Sequence, residues 1–194
     1  MYLIGITGSI GSGKTTLANI VRELGYVVYD VDDWVRKIYL KADFLSNLGK
    51  KFKGSVKDGK ADKRYLREIV FRDKKKLAEL EKLIYPILND KIKKTITANA
   101  KKDVVCFLDI ALLFEKKWDK YCNFIILADA DYELRKKRVM FRDKVDAKSF
   151  ENIDKIQMSN DEKKDKVDIV INTDKPVNIL KVDMINLIDM IVGE

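Results

Sequence analysis

The sequence predicts an α/β protein: a five-stranded parallel sheet covered by helices, with a helical insertion and a lid. Three observations lead there. Short apolar runs recur at residues 2–7, 27–29, 104–108, 124–128 and 169–171. They are continuous rather than alternating, as strands covered on both faces require. Helical spacing follows the runs, the order of βαβ units, and the first run meets a glycine-rich turn that opens a helix. With 194 residues and 46% hydrophobic content, the chain is long enough to bury one sizeable core.

Residues 2–7 read as a buried strand and 8–13 as a loop. From Lys14, the apolar residues Leu17, Ile20, Val21 and Leu24 recur at helical spacing, and Gly25 is placed to end that helix. Val27, Val28 and Tyr29 form the next strand, which runs into Asp30-Val31-Asp32-Asp33. From about residue 34 to 100 no strand is expected: helical patterns dominate, with a turn at 54–59 and a break at Pro86. The alternating code then resumes. Strands at 104–108 and 124–128 end in Asp109 and Asp129, residues 131–141 are helical, and 143–166 is a polar, mobile stretch. A last strand at 169–171 ends at Asn172, and a final helix starts from Pro176. Ligands of such sheets bind beyond the carboxyl ends of the strands, which singles out residues 8–16, 30–33, Asp109 and Asn172.

The most informative motif is GSIGSGKT at residues 8–15, which fits GxxxxGK(S/T) at every fixed position. Chance would produce such a match in under about 1% of chains this long. A strand precedes it and a helix follows, as a phosphate-binding P-loop requires, so the expected fold is that of the P-loop NTPases. Glycines let successive N–H groups point into one concavity aligned with a helix N-terminus. Gly8, Ser9, Ile10, Gly11, Ser12, Gly13, Lys14, Thr15 and Thr16 are therefore the expected ATP-binding residues. Lys14 would bridge the β- and γ-phosphates, and the Thr15 hydroxyl would ligate Mg²⁺.

Asp30 and Asp32 come next. Alternate residues at a strand's end would aim both carboxylates at the γ-phosphate, one to take a proton from an attacking hydroxyl and one to hold metal-bound water. The competing reading is a turn or helix cap, common for aspartate in this context. Asp109, ending an apolar strand, has the form of a Walker B carboxylate for the metal. Arg135, Arg138 and Arg142 open the polar segment, and Arg138 and Arg142 share a helix face. They suit either a lid closing over phosphates or a solvated basic face. A guanine-specific reading is disfavoured: residues 172–175, NTDK, carry the letters of NKxD in the wrong order. ATP is the expected nucleotide.

Composition narrows the chemistry. The chain has no histidine, which excludes Ser-His-Asp triads, Cys-His pairs and HExxH zinc sites. A general base must then be Asp, Glu, Lys, Tyr or Cys. A net charge of +8 suits anionic partners, although most of the lysines read as exposed helix faces. Two cysteines, Cys106 and Cys122, fit a reducing compartment. No apolar stretch reaches membrane length and no leader pattern is visible, so a cytoplasmic protein is expected.

The ordered set of motifs resembles the dephospho-CoA kinase family from residue 4 to about 172. The stretches are GITGSIGSGKTT (5–16), GYVVYDVDDWVR (25–36), GKADKRYLREIVF (59–71), LEKLIYPIL (80–88), FLDIALLFE (107–115) and QMSNDEKKDKVDIVIN (157–172). The resemblance implies ATP-dependent phosphorylation of the ribose 3′-hydroxyl of dephospho-CoA, the last step of coenzyme A synthesis. It implies Asp32 as catalytic base, Lys14 and Arg138 on the transferred phosphate, and Thr15 and Asp109 with Mg²⁺. Arg138 and Arg142 would belong to the lid, and Asn172 would lie near the adenine. Acceptor binding would involve Asp32, Lys63, Tyr85, Ala111 and Leu112. The implied division is a core of 1–34, 101–142 and 167–194, an acceptor domain of 35–100 and a lid of 143–166. This chain departs from the family pattern with Ser9 for glycine, Lys63 for arginine, Tyr85 for histidine and Ala111 for proline. The expected partners are ATP and dephospho-CoA, with neither nucleic acid nor membrane, in a monomer or weak homo-oligomer. Rival readings are a P-loop kinase for a nucleoside monophosphate or sugar acid, a nucleic-acid-stimulated ATPase, and a regulator that has lost catalysis.

Overall fold

The structure is a computed structural model that describes residues 1–102 and 104–193, the side chains of residues 71 and 72 excepted. Its chain divides into two compact units, Met1–Asp30 with Lys102–Glu194, and Val31–Lys101.

The first unit is built on five parallel strands: β1 (Tyr2–Thr7), β2 (Val27–Asp30), β5 (Val105–Asp109), β6 (Phe124–Asp129) and β7 (Ile169–Asn172). Their order across the sheet is β2-β5-β1-β6-β7. The three inner strands are the long apolar runs, buried along nearly their whole length, because helices cover both faces and leave no side for polar residues. The edge strands differ from the expected uniform burial: Val27 is 50% and Val170 39% exposed. Each has a neighbour on one side only.

α1 (Lys14–Glu23) packs Leu17, Ala18, Ile20 and Val21 onto the sheet. α9 (Val177–Val192) joins the same core through Leu180, Met184, Leu187 and Ile188. Between β6 and β7 the chain forms α6 (Tyr132–Asp143), α7 (Ala147–Asp154) and α8 (Asn160–Lys164). Aspartates cap the first two: Asp131 accepts from the Glu133 and Leu134 N–H groups, and Asp146 from that of Ser149. Ser159 and Glu162 close a capping box on α8.

The second unit contains α2 (Val31–Ile38), α3 (Ala42–Lys51), a hairpin of β3 (Val56–Lys57) and β4 (Lys60–Ala61), α4 (Lys63–Arg72) and α5 (Lys74–Asn99). Two expectations are corrected here. The turn at 54–59 carries a short antiparallel hairpin, although no strand was expected in this stretch. Its turn residues Asp58 and Gly59 both take positive φ, 49° and 71°, the conformation an Asp-Gly pair favours between paired strands. Pro86 does not break its helix, because α5 runs unbroken through it. Leu80, Ile84, Leu88 and Ile92 form a buried stripe across the proline, and that packing outweighs the missing N–H. Asp73 caps α5 by accepting from the Lys75 and Lys76 N–H groups.

This balance is testable by urea denaturation. Leu88→Ala, at a side chain 1% exposed, is expected to cost about 2–5 kcal/mol. Pro86→Ala, which restores a helical N–H, is expected to stabilise by about 1–3 kcal/mol. A neutral result at both positions would contradict the account of α5.

Candidate active site

Residues 8–13 connect β1 to α1, and at Gly11 and Gly13 their backbone is left-handed. Gly11 has φ 79°, and a Cβ there would lie 2.6 Å from the Arg135 carbonyl oxygen. Gly13 has φ 84°, and a Cβ there would lie 2.6 Å from Thr173 Oγ1. Both positions combine left-handed backbone with a neighbour too close for a side chain.

The outer side of the loop is held by side chains from distant segments. The Ser9 N–H donates to Asn160 Oδ1 at 2.9 Å and the Ile10 N–H to Gln157 Oε1 at 2.7 Å. Arg135 donates to the Ile10 carbonyl at 3.2 Å, Arg138 to the Gly11 carbonyl at 3.4 Å, and the Thr173 hydroxyl to the Ser12 carbonyl at 2.7 Å. Ser9 and Ile10 thus commit their amides to protein acceptors. At the other end of the loop, α1 begins after Gly13 with no side-chain cap and no acidic residue in its first turn, where the Thr16 N–H donates to the Gly13 carbonyl at 2.9 Å. The first N–H groups of a helix have no partner within it. Here they and the helix dipole form a site for an anion. Ser12 Oγ, buried in the loop, has no hydrogen-bond partner among the described residues.

Lys14 forms an ion pair with Asp109, at the end of β5. Asp30 closes β2 in register with Asp109, so two carboxylates end neighbouring strands. Asp32 corrects the expectation of alternate residues on one strand. β2 stops at Asp30 and α2 starts at Val31, which puts Asp32 and Asp33 in a first helical turn, where negative charge complements the dipole. Asp32 is exposed. Asp33 pairs with Lys37 at 2.6 Å, and that bond holds its carboxyl below the ordinary range.

Among the arginines, Arg138 spans two elements, donating to the Thr173 carbonyl at 2.8 Å as well as to Gly11. Arg142 pairs instead with its neighbour Asp143 at 2.7 Å. Asn172 ends β7, exposed, with its Oδ1 accepting from the Asp174 N–H at 2.7 Å. Ala111 contributes its carbonyl, which accepts from Thr7 Oγ1 at 3.3 Å and from Lys163 Nζ at 3.2 Å. Leu112 follows it, half-buried.

Within the helical unit, Val35, Arg36, Tyr39, Lys63, Leu66, Arg67, Val70 and Leu80 line a groove of about 350 Å³. Lys63 lies 5.6 Å from the centre of the Tyr39 ring. The Tyr85 hydroxyl donates to Glu81 on its own helix at 3.3 Å.

Sequence reasoning missed Gln157, Asn160, Thr173 and the pair formed by Lys163 and Glu115. Gln157, Asn160 and Lys163 lie inside the 157–172 stretch that resembles the family, but spacing assigns them no partner. Lys163 is fully buried, 3.5 Å from Glu115. Burial pushes its amine below the ordinary lysine value, and Glu115 opposes that shift.

The donors suit magnesium. Among the described residues no cluster of three or more metal-binding side chains occurs. Magnesium needs none, because it keeps waters and takes one or two protein oxygens beside substrate phosphates. The Thr15 hydroxyl and the Asp109 carboxylate are hard oxygens of that kind. The described residues also include no helix long and apolar enough to cross a membrane.

Known proteins resemble this arrangement along its whole length. The family profile described as dephospho-CoA kinase matches residues 2–178. A dephospho-CoA kinase of Bartonella henselae is 38% identical over 176 residues, 90% of each chain. A crystal structure from Thermus thermophilus superposes with a TM-score of 0.84 at 29% identity, covering 97% of each chain. A dephospho-CoA kinase from Campylobacter jejuni superposes at 0.74 and 26% identity, covering 98% of this chain and 97% of its own.

The buried lysine makes a prediction about pH. With a folded pKa below its unfolded 10.5, Lys163 binds its proton more weakly in the folded chain, so its penalty on stability fades as pH rises toward 10.5. Lys163→Met removes that titration. In urea denaturation, wild type should gain on the variant as pH approaches 10.5, whereas a pH-independent difference would refute the shift.

Proposed function

This chain belongs to the dephospho-CoA kinase family, and from that membership we propose how its own residues carry ATP-dependent phosphorylation of the ribose 3′-hydroxyl of dephospho-CoA. The single observation that carries the reading is the uncapped N-terminus of α1, with Lys14 held beside it by Asp109. The triphosphate lies against the amides of Gly11, Gly13, Lys14 and Thr15, since those of Ser12 and Thr16 donate to the Ser9 and Gly13 carbonyls, and Lys14 reaches its β- and γ-phosphates. The Thr15 hydroxyl and Asp109 would hold magnesium, which would supply neutralisation of phosphate charge.

Asp32 is the base. Support comes from the lack of any histidine and from the chain itself. It lies two positions after Asp30, whose partner in register is Asp109, and two such steps of chain span at most about 7 Å. The acceptor 3′-oxygen attacks the γ-phosphorus, its proton passes to the Asp32 carboxylate, and the bond from that phosphorus to the β–γ bridging oxygen breaks to release ADP. Because the transition state is loose, the carboxylate acts mainly by orienting the hydroxyl. Arg138 is the cation for the charge that spreads over the transferred group, which its guanidinium would reach by leaving the Gly11 and Thr173 carbonyls, and Arg142 stands at the edge of the lid of 143–166.

Residues 35–100 form the acceptor domain in this reading. Its groove joins an apolar lining of Tyr39, Leu66, Val70 and Leu80 to the cations Arg36, Lys63 and Arg67. That pairing suits an acceptor with a diphosphate and a largely uncharged arm.

An ADP-release assay across dephospho-CoA, nucleoside monophosphates and shikimate tests the reading, with turnover expected for dephospho-CoA alone. Turnover of another acceptor, with none of dephospho-CoA, would overturn it. Asp32→Asn is expected to slow transfer by about 10²–10⁴-fold while calorimetric ATP affinity stays near wild type; an unimpaired rate removes the proposed base. Arg67→Ala is expected to raise the acceptor KM by about tenfold, with the KM for ATP unchanged.

A further inference from the structure

The side-chain amide of Asn160 uses all its hydrogen-bonding capacity at one place. Its Oδ1 accepts from the Ser9 N–H at 2.9 Å and lies 2.8 Å from Ser9 Oγ. Its Nδ2 donates to the Ala128 carbonyl at 3.2 Å and to Asp129 Oδ1 at 2.6 Å. Two lone pairs and two N–H groups are the whole inventory of an asparagine side chain. Flipping the amide would set donor against donor at Ser9 and oxygen against oxygen at Ala128, so the network fixes its orientation. The site is dry: Asn160 is 7% and Ser9 3% exposed.

We infer that Asn160 is a positioning residue for the phosphate loop, setting the peptide that enters the loop so that the amides after it serve the nucleotide. Ser9 is the second residue after β1, where the chain must turn away from the sheet. Its N–H points outward to a partner anchored on the end of β6, the strand beside β1. Without that acceptor the buried N–H is orphaned or the Gly8–Ser9 peptide rotates, and rotation changes the direction in which the chain enters the residues whose amides follow. The anchor is itself held. Gln157 takes the Ile10 N–H, and the Met158 N–H donates to Glu115 at 2.8 Å. Lys164 pairs with Asp129 at 3.0 Å. Ser9, where this chain departs from the family's glycine, adds the hydroxyl contact that a glycine would lack.

The inference rests on the reading of residues 8–15 as the nucleotide cradle, and titrating ADP with Mg²⁺ by calorimetry tests the two apart. In folded Asn160→Ala, ADP affinity is expected to fall about tenfold, with the dephospho-CoA KM at saturating ATP unchanged. Asn160→Asp keeps the volume but sets a carboxylate against Asp129, and it should bind no better than the alanine variant. Ser9→Gly should lose about threefold, and the double variant should match Asn160→Ala, because the hydroxyl then has no amide to meet. Unchanged ADP affinity in folded Asn160→Ala overturns the inference, as does a loss confined to the acceptor KM. Should that variant fail to fold, Ser9→Gly carries the test, and wild-type ADP affinity there overturns it. A wild-type protein that binds no ADP removes the premise, and the inference with it.

Discussion

The ion pair between Lys14 and Asp109 is the constraint around which the first unit is arranged. It exists because β1 and β5 lie side by side, with Ile6 in register with Asp109, while the loop that carries the lysine leaves the end of β1. The exposures are 11% for the lysine side chain and 3% for the aspartate. A charge so placed is expensive to leave unpaired, so the sheet, the loop and the start of α1 are held in mutual register. In the proposed function, a polyphosphate arriving at the uncapped helix terminus meets a lysine whose position is already set.

The loop is gripped from outside so that its inside stays available. Asn160, Gln157, Arg135, Arg138 and Thr173 each hold a backbone group of residues 9–12. None of these contacts calls on the first-turn amides of α1. The other described helices that carry a side-chain cap take it from Asp62, Asp73, Asp131, Asp146 or Ser159. The contrast with Gly13 is electrostatic: a capping carboxylate would fill the place that a phosphate needs. Segment 157–164 reaches in two directions, to the loop through Gln157 and Asn160 and to the stretch after β5 through Glu115 and Ala111. Preorganisation of this kind suits a phosphotransferase, which depends on positioning and exclusion of water more than on covalent chemistry.

Particular residues show what was legible. The inner strands could be read from residues 2–7, 104–108 and 124–128, because burial on both faces demands unbroken apolar runs. The phosphate loop was legible because φ values near 80° at Gly11 and Gly13 admit few other residues. Asp58-Gly59 carried a hairpin signal that its helical surroundings obscured. Pro86 stays inside α5 because the tertiary stripe from Leu80 to Ile92 outweighs the local preference of proline. Asp32 was placed on a strand because a strand's end and a helix's start look alike when both are acidic.

By itself, the sequence determined the strands, the glycine turn and the chemistry open to a chain without histidine, since each depends on residue type and short-range spacing. Only the tertiary structure decided what holds the loop. Ser9 and Asn160 are 151 positions apart, Ser12 and Thr173 161, and Gly11 and Arg138 127. No local period records a hydrogen bond between segments that meet only when the parallel sheet has assembled, because such a bond follows from strand order, and strand order follows from packing of the whole core.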